Sequence, residues 1–556
     1  MPDDSFLRGE VEPYIDTLYL QSALLKRPRD SAVIHLLRTF EDWSRLRTIN
    51  PLLKGQQVQF HVTLRWAHEA IPWALRWVWN DCPQAGNASL DLDWDAYGEA
   101  VELMQLGFKY YQLCRCFILY SRGFFGAETA KEQRRIRFFF RSNAEQQRDA
   151  ASMVDEIVRD NPPVALAIVN FLATSMPVIK TILPHYIDKT GEFSIRCETP
   201  RDMLRYFKQW TILQVEDMRF DMPGVWQFGN YSLDQFRYFW MSMLTISLAH
   251  IIAHNLADDV VGTKGDAVGS VVMQTSQDLL MRAGSLFPIP QEAWRAIFDV
   301  LVYHPTRKYW DPFWQPIIRT SDGTLLISPH MIIASSPQRN LITLLNRTSE
   351  GRKFYDRVSS QKEEEQLSLL AKLFDASRFI TRKRVPVSRT DGTTLTDIDL
   401  ALYDKGDDVL LLMHAKWLIR PDMVQEVLAR DKEVQAALHT AASAFTRISE
   451  LGVGWISNVL GTDLKSSPKL YSVVVNQDFV PGGWVYNDQI PVVNTDFVTE
   501  FVHSPQFKGV ASLYAACAGF NEYLEEKHPV KLAHDEVQFG DYVFEIPTIE
   551  LVKQEK

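Results

Sequence analysis

The chain has 556 residues, 46% apolar and 23% charged, with a net charge of −10 and a pI of about 5.8. That length suits roughly three to four globular domains with full hydrophobic cores. It excludes a low-complexity or strongly basic protein, so a polyanion would have to be held by a local basic patch.

The cysteines Cys82, Cys114, Cys116, Cys197 and Cys517 are odd in number and scattered, a poor disulfide framework. Cys114 and Cys116 are too close in sequence for a structural zinc pair. They read as thiols in a reducing compartment. The Met-Pro-Asp-Asp-Ser start has no basic stretch ahead of an apolar core, so no signal peptide is expected. The apolar stretches Val164–Ile179 and Tyr238–Ala253 are short of the roughly 20 residues that span a bilayer. They read as buried helices, and the expected location is the cytoplasm, away from any membrane.

Residues 1 to about 310 predict helices. Apolar residues recur at three and four over Ala32–Leu46, Tyr97–Tyr120, Ala144–Arg159, Thr199–Glu216, Leu233–Leu256 and Gln291–Val302. Asn50-Pro51, Pro83–Asn87, Asn161-Pro162-Pro163 and Asp221–Gly224 punctuate them. Trp66, Trp73, Trp77 and Trp79 read as a core stripe. Lys131–Arg141, rich in Arg and Phe, reads as a solvated helix face in preference to a phosphate-binding edge. His250 and His254, one helical turn apart with Asp258 beyond, read as core histidines in preference to a metal pair. No fixed-period repeat, Walker loop or Gly-x-Ser-x-Gly elbow occurs.

Residues 311–350 predict a β-hairpin connector, with Ser-Asp-Gly turning between Pro316–Arg319 and Thr324–Ile327. From 351 the expected order is a helix (Lys353–Phe374), strands Phe379–Val387, Leu395–Tyr403 and Val409–Trp417, a helix (Met423–Ile448), then strands Leu470–Gln477 and Ile490–Asn494. Arg420-Pro421-Asp422 precedes the second helix as a start signal. This is an α/β sandwich with a mixed sheet. The segment 531–556 reads as a last strand packing back on it. The expected fold class is therefore multidomain α plus α/β: a helical region (1–310, divisible into two subdomains), a connector (311–350), an α/β unit (351–530) and a C-terminal strand.

Chemistry concentrates in one hairpin. Strand alternation puts Asp397 and Asp399 on one face, and His414 and Lys416 on one face of the next strand. A short turn pairs the two strands and brings Asp399 near His414 and Lys416. Charged residues in a core-like strand are costly unless paired or metal-bound. Thr396-Asp397-Ile398-Asp399-Leu400, a turn, and Val409–Met413 followed by His414-Ala415-Lys416 resemble the PD-(D/E)XK nuclease superfamily. The resemblance covers residues 351 to about 520. It implies a restriction-endonuclease-like α/β/α fold and metal-dependent hydrolysis of phosphodiester bonds, with DNA as the expected substrate.

What the resemblance implies for residues is specific. Asp399 matches the strand-two acid, with Asp397 as an additional acid. His414-Ala415-Lys416 matches acid-x-Lys, with His414 replacing the acid. Asp399, the Ala415 carbonyl and His414 would hold a divalent metal, Mg²⁺ or Mn²⁺, and Lys416 would position the attacking water. Glu363, Glu364 and Glu365 are available as the helix carboxylate, with Glu364 the expected one, and Gln435, Arg430 and Lys432 would face the substrate. Apart from the resemblance, the basic run Arg382, Lys383 and Arg384 lies close to this site in sequence order and reads as a contact to the nucleic-acid backbone. Three roles stay open for His414: a ligand to Mn, Fe or Zn, a general base, or the mark of a site that binds without cutting. The layout resembles restriction-like and antiviral defence effectors, in which a helical region recognises a partner or trigger.

Overall fold

The computed structural model describes residues 4–49, 57–84, 91–142, 175–189, 195–197, 222–261, 271–304, 311–346, 349–419, 424–477 and 489–551, with isolated positions in and between these ranges. Arg29–Ile49 (α1), Gln57–Asp81 (α2) and Trp94–Ser121 (α3) pack together around Leu36, Phe40, Ile71 and Met104. The Asp93 carboxylate opens α3 by accepting from the N–H groups of Asp95 and Ala96. Trp77 is buried and stacks on Tyr19, while Trp66 is exposed. Helix α2 carries the helical tryptophan stripe, for which the sequence gives no bounds.

Lys131–Arg141 is not a helix face. Phe125–Ala130 (β1) and Arg135–Phe140 (β2) form an antiparallel hairpin. β-Branched and aromatic content (Ile136, Phe138, Phe139, Phe140) favours the strand, and alternation buries Ile136 and Phe138.

A second apolar core surrounds Leu233–Val261 (α4), with Val272–Gln274 (β3), Ser276–Leu286 (α5) and Gln291–Leu301 (α6). Leu233–His254 is, by length and composition, long and apolar enough to cross a membrane, beyond the shorter run expected from the sequence; most of it is buried in this core. His254 is buried on it. The side chains of Asp258, Asp259 and Cys197, the segment 152–174 and Arg420–Asp422 lie outside the described residues.

The 311–350 hairpin is more than a connector. Ile317–Arg319 (β4) and Leu325–Ile327 (β5) join β3 in the order β3-β5-β4. Ile317, Leu325 and Ile327 face the α4 core, whereas Ile318 and Leu326 face the α1–α3 core. This small sheet is the wall between the two. Short helices Pro329–Ala334 (α7) and Pro337–Leu345 (α8) follow.

Ser349–Lys372 (α9) begins the α/β unit, followed by Phe379–Ser388 (β6), Thr394–Asp404 (β7), Val409–Lys416 (β8), Val424–Leu460 (α10), Lys469–Asn476 (β9) and Val492–Asn494 (β10). The sheet order is β6-β7-β8-β9-β10, antiparallel to β8 and parallel after it. Helix α10 runs past the expected end at Ile448 and turns sharply at Gly452, whose φ of 69° only glycine adopts readily. Thr495–His503 (α11), Val510–Ala518 (α12) and Phe520–Lys527 (α13) follow; α9, α11 and α12 cover one face of the sheet and α10 the other.

The C-terminal segment does not pack back on this sheet. Val530–Phe539 (β11) and Tyr542–Leu551 (β12) form a ribbon, and β12 pairs in parallel with β2 through Val543, Phe544 and Glu545. Arg135 donates to Glu545 and Glu536, and Arg134 to Asp541. The basic run thus meets acids of the last ribbon rather than presenting a bare phosphate-binding edge.

Candidate active site

A break in strand alternation positions the site. In β7, Leu400 and Leu402 pack with Leu367 and Leu370 of α9, while Ile398 packs with Ala444 and Ile448 of α10. Residues two apart should share a face, so the alternation slips at Asp399. In β6, Ile380 and Arg382 reach the α10 side, and so do Val385 and Val387. The slip there is at Arg384, whose φ of 52° is left-handed. The flanking pairs Lys383↔Leu400 and Val385↔Ile398 set Arg384 opposite Asp399. Both strands therefore turn consecutive side chains, Lys383 with Arg384 and Asp399 with Leu400, toward α9.

The β7–β8 ladder ends at Leu400↔Met413. Beyond it the Asp399 carboxylate replaces the departing strand. Its Oδ2 accepts the Ala415 N–H at 2.9 Å and its Oδ1 accepts from Arg384 Nη1 at 3.1 Å. In a strand the N–H and C=O of one residue point to the same side, so the Ala415 carbonyl faces this fork too. Asp399 is only 9% exposed. Burial pushes its carboxyl above the ordinary range, against Lys416, the Ala415 amide and Arg384, which pull it down.

Lys416 Nζ lies 3.8 Å from Glu363 Oε1. Glu363, whose charge adds to the rise at Asp399, is the α9 carboxylate of the site. Glu364 turns aside: its Oε1 accepts from Lys383 Nζ at 2.8 Å and its Oε2 is 3.8 Å from Arg384 Nε. The Lys383 hydrogen bond holds the Glu364 carboxyl below its usual range. Helical periodicity contained this distinction. Residues 363, 367 and 370 make one stripe, and Leu367 and Leu370 are its core members.

His414 is not drawn into the fork. Leu410 and Leu412, on its face of β8, pack with Ala444 and Ile448 of α10, and its register partner Val474 packs with Val434 and Leu438. No hydrogen bond or ion pair joins it to Asp399 among the described residues. It is 3% exposed, its Nε2 is buried without a partner, and burial followed by the Lys416 charge pushes its pKa down to about 4. Beyond His414, Lys416, Asn476 and Asn494 stand in register across three parallel strands. Asn476 is fully buried with both side-chain polar atoms unpartnered.

The other expected residues are dispersed. Asp397 is exposed at the outer end of β7. Arg382 donates to the Val459 and Leu460 carbonyls and caps α10. Lys383 bonds Glu364 and Ser368. Arg430 is paired with Glu433 at 2.6 Å, and Lys432 and Gln435 are exposed on α10. The Arg382-Lys383-Arg384 run is thus engaged internally, a departure from three free phosphate contacts.

Among the described residues, no three His, Cys, Asp or Glu side chains converge as a metal cage. A hard cation such as Mg²⁺ uses one or two carboxylates and completes its shell with water and phosphate. Asp399, Glu363 and the Ala415 carbonyl make an all-oxygen set of that kind; His414 belongs to the other face. No protein-family model, curated protein or solved structure matches this chain.

Proposed function

We propose that residues 351–530 adopt a restriction-endonuclease-like fold and act as a metal-dependent nuclease, with DNA as substrate. The observation that carries this reading is the strand fork, where Asp399 accepts the Ala415 N–H beside Glu363 and Lys416. Asp399, Glu363 and the Ala415 carbonyl would hold Mg²⁺ or Mn²⁺. The ion, when bound, lowers the pKa of a water and polarises a phosphoryl oxygen. Lys416 orients the attacking water and balances charge building on the phosphate. Arg384 is the nearest partner for a non-bridging phosphate oxygen. His414 is the neutral, packed side chain behind the fork, and the helical region is the proposed sensor of a partner or trigger, in the manner of a defence effector.

The test is cleavage of plasmid, linear and single-stranded DNA and of RNA by the full chain, in EDTA, Mg²⁺ and Mn²⁺, with Asp399→Ala and Lys416→Ala alongside. Metal-dependent cleavage lost in both variants is the expected result. Cleavage that survives in Asp399→Ala would overturn it. One observation favours a second reading, a nuclease-fold module that binds nucleic acid without cutting: Arg384 already occupies Asp399. Binding of DNA with no cleavage under any metal would select that reading.

A further inference from the structure

Asp399 has a protein cation beside it. The Arg384 guanidinium lies 3.1 Å from its Oδ1, and Glu364 holds the same guanidinium from the other side at 3.8 Å. This placement is imposed on the chain. Regular alternation would send Arg384 to the α10 face, with Arg382. The left-handed backbone at Arg384 turns it onto the α9 face instead. Non-glycine residues adopt that region rarely, and local strain of this type collects at functional sites. The slip at Asp399 meets it from the facing strand. Arg384 is also 42% exposed along its side chain, so its outer end is open to a ligand.

We propose that Arg384 is an exchangeable cation of the nuclease site: it neutralises Asp399 in the free protein and moves to a nucleic-acid phosphate when substrate arrives, releasing Asp399 to the metal. This rests on the nuclease reading above. A guanidinium and a divalent ion repel at hydrogen-bond range, so the two compete for one carboxylate. A backbone phosphodiester, one negative charge shared over two non-bridging oxygens, offers the guanidinium a bidentate partner in exchange. Metal and nucleic acid therefore bind with positive coupling, each tightening the other by the same factor.

The experiment is Mn²⁺ binding to the full chain, followed by the electron paramagnetic resonance of free Mn²⁺, with and without a cleavage-resistant phosphorothioate duplex. Arg384→Gly removes the cation and accepts the left-handed backbone; Arg384→Gln checks the result with a side chain present. The duplex is expected to tighten Mn²⁺ on the natural chain by ~10-fold. Both variants are expected to bind Mn²⁺ ~10-fold more tightly without the duplex and to gain less from it than the natural chain does. Adding Asp399→Asn to Arg384→Gly is expected to abolish that gain. Mn²⁺ affinity unchanged or weaker in both Arg384 variants overturns the exchange, as does Mn²⁺ binding to none of the chains. The two readings fail separately. Metal-dependent cleavage with unaltered Mn²⁺ affinity in the variants removes the exchange alone. Tighter Mn²⁺ binding in the variants with no cleavage removes the nuclease and leaves the exchange standing.

Discussion

Arg378 forks onto Asp404 at the turn end of the β7–β8 hairpin, its Nε 2.8 Å from Oδ1 and its Nη2 2.7 Å from Oδ2. The same carboxylate accepts the N–H groups of Gly406 and Val510. Asp404 is fully buried and accepts four hydrogen bonds, of which the one from Val510 ties the hairpin to the start of α12. Burial alone would raise its carboxyl, but Arg378 and the two amides outweigh that and hold it below the usual range. A lowered carboxyl stabilises the fold above the unfolded value near 4, and the stabilisation is lost as pH falls through the folded value. Asp404→Asn is expected to cost about 2 kcal/mol near pH 7, discounted from a fully buried pair because the Arg378 side chain is 38% exposed. Urea unfolding of the two chains checks this, and the gap should narrow in acid.

Gly509 sits over that fork. A Cβ there would overlap Arg378, Asp407 and Asp404. Gly509→Ala is therefore expected to lower the unfolding midpoint as much as Asp404→Asn, and the double variant to lower it little further, because both act on one contact. Fully additive losses would show that Gly509 matters for another reason.

At the other end of the hairpin, Asp399 behaves in the opposite way. Its carboxyl is raised, so its favourable contribution is complete below the unfolded value and is lost as pH rises through the folded one. At neutral pH its charge is carried at a cost. Asp399→Asn is expected to melt no lower than the natural chain at pH 7 while losing about 100-fold or more in cleavage. A clear fall in melting temperature would mean that the carboxylate holds the fork together.

The two neighbouring glutamates separate the helix-stripe reading from the sequence expectation. On the nuclease proposal, Glu363→Gln is expected to reduce cleavage by at least the ~10–100-fold that loss of an outer-shell partner costs, and Glu364→Gln by much less. Equal losses would remove Glu363 from its assigned place.

His414 makes a pH prediction of its own. Burial and Lys416 push its pKa down to about 4, so the folded state refuses a proton that the unfolded chain takes near 6.5. Stability is expected to fall as pH drops from about 6.5 to about 4, with His414 contributing up to roughly 3 kcal/mol. His250, held down to about 4 by burial and Arg282, adds to the same slope. In urea titrations His414→Leu should flatten part of that slope. His414→Glu is expected to destabilise, because it puts a carboxylate among Val434, Leu438 and Val474.

The α/β unit was legible because its strands announce themselves. Val409–Met413 is a pure apolar run, Gly406 and Asp404–Asp408 mark the turn, and alternation held over most of β7. The fork was half legible. Asp399 and Lys416 could be chosen by residue type, but the faces around them were misread, because alternation slips at Arg384 in one strand and at Asp399 in its neighbour, and nothing in the local sequence signals either. His414 was drawn toward Asp399 for the same reason. The β1–β2 hairpin was hidden by charge: Lys131 to Arg137 mimics a solvated helix, and its true partners, Glu536, Asp541 and Glu545, lie some four hundred positions downstream. Local periodicity carries no information about pairing at that range.

The parallel pairing of β12 with β2 has a consequence for how the chain is laid out. One sheet takes its strands from residues 125–140 and 530–551, so everything between them, including the whole of the Asp399 fork, is topologically an insertion into that sheet. Folding of the sheet must wait for the last ribbon, and a chain stopped before Val530 would leave β2 a bare edge with no strand to close it.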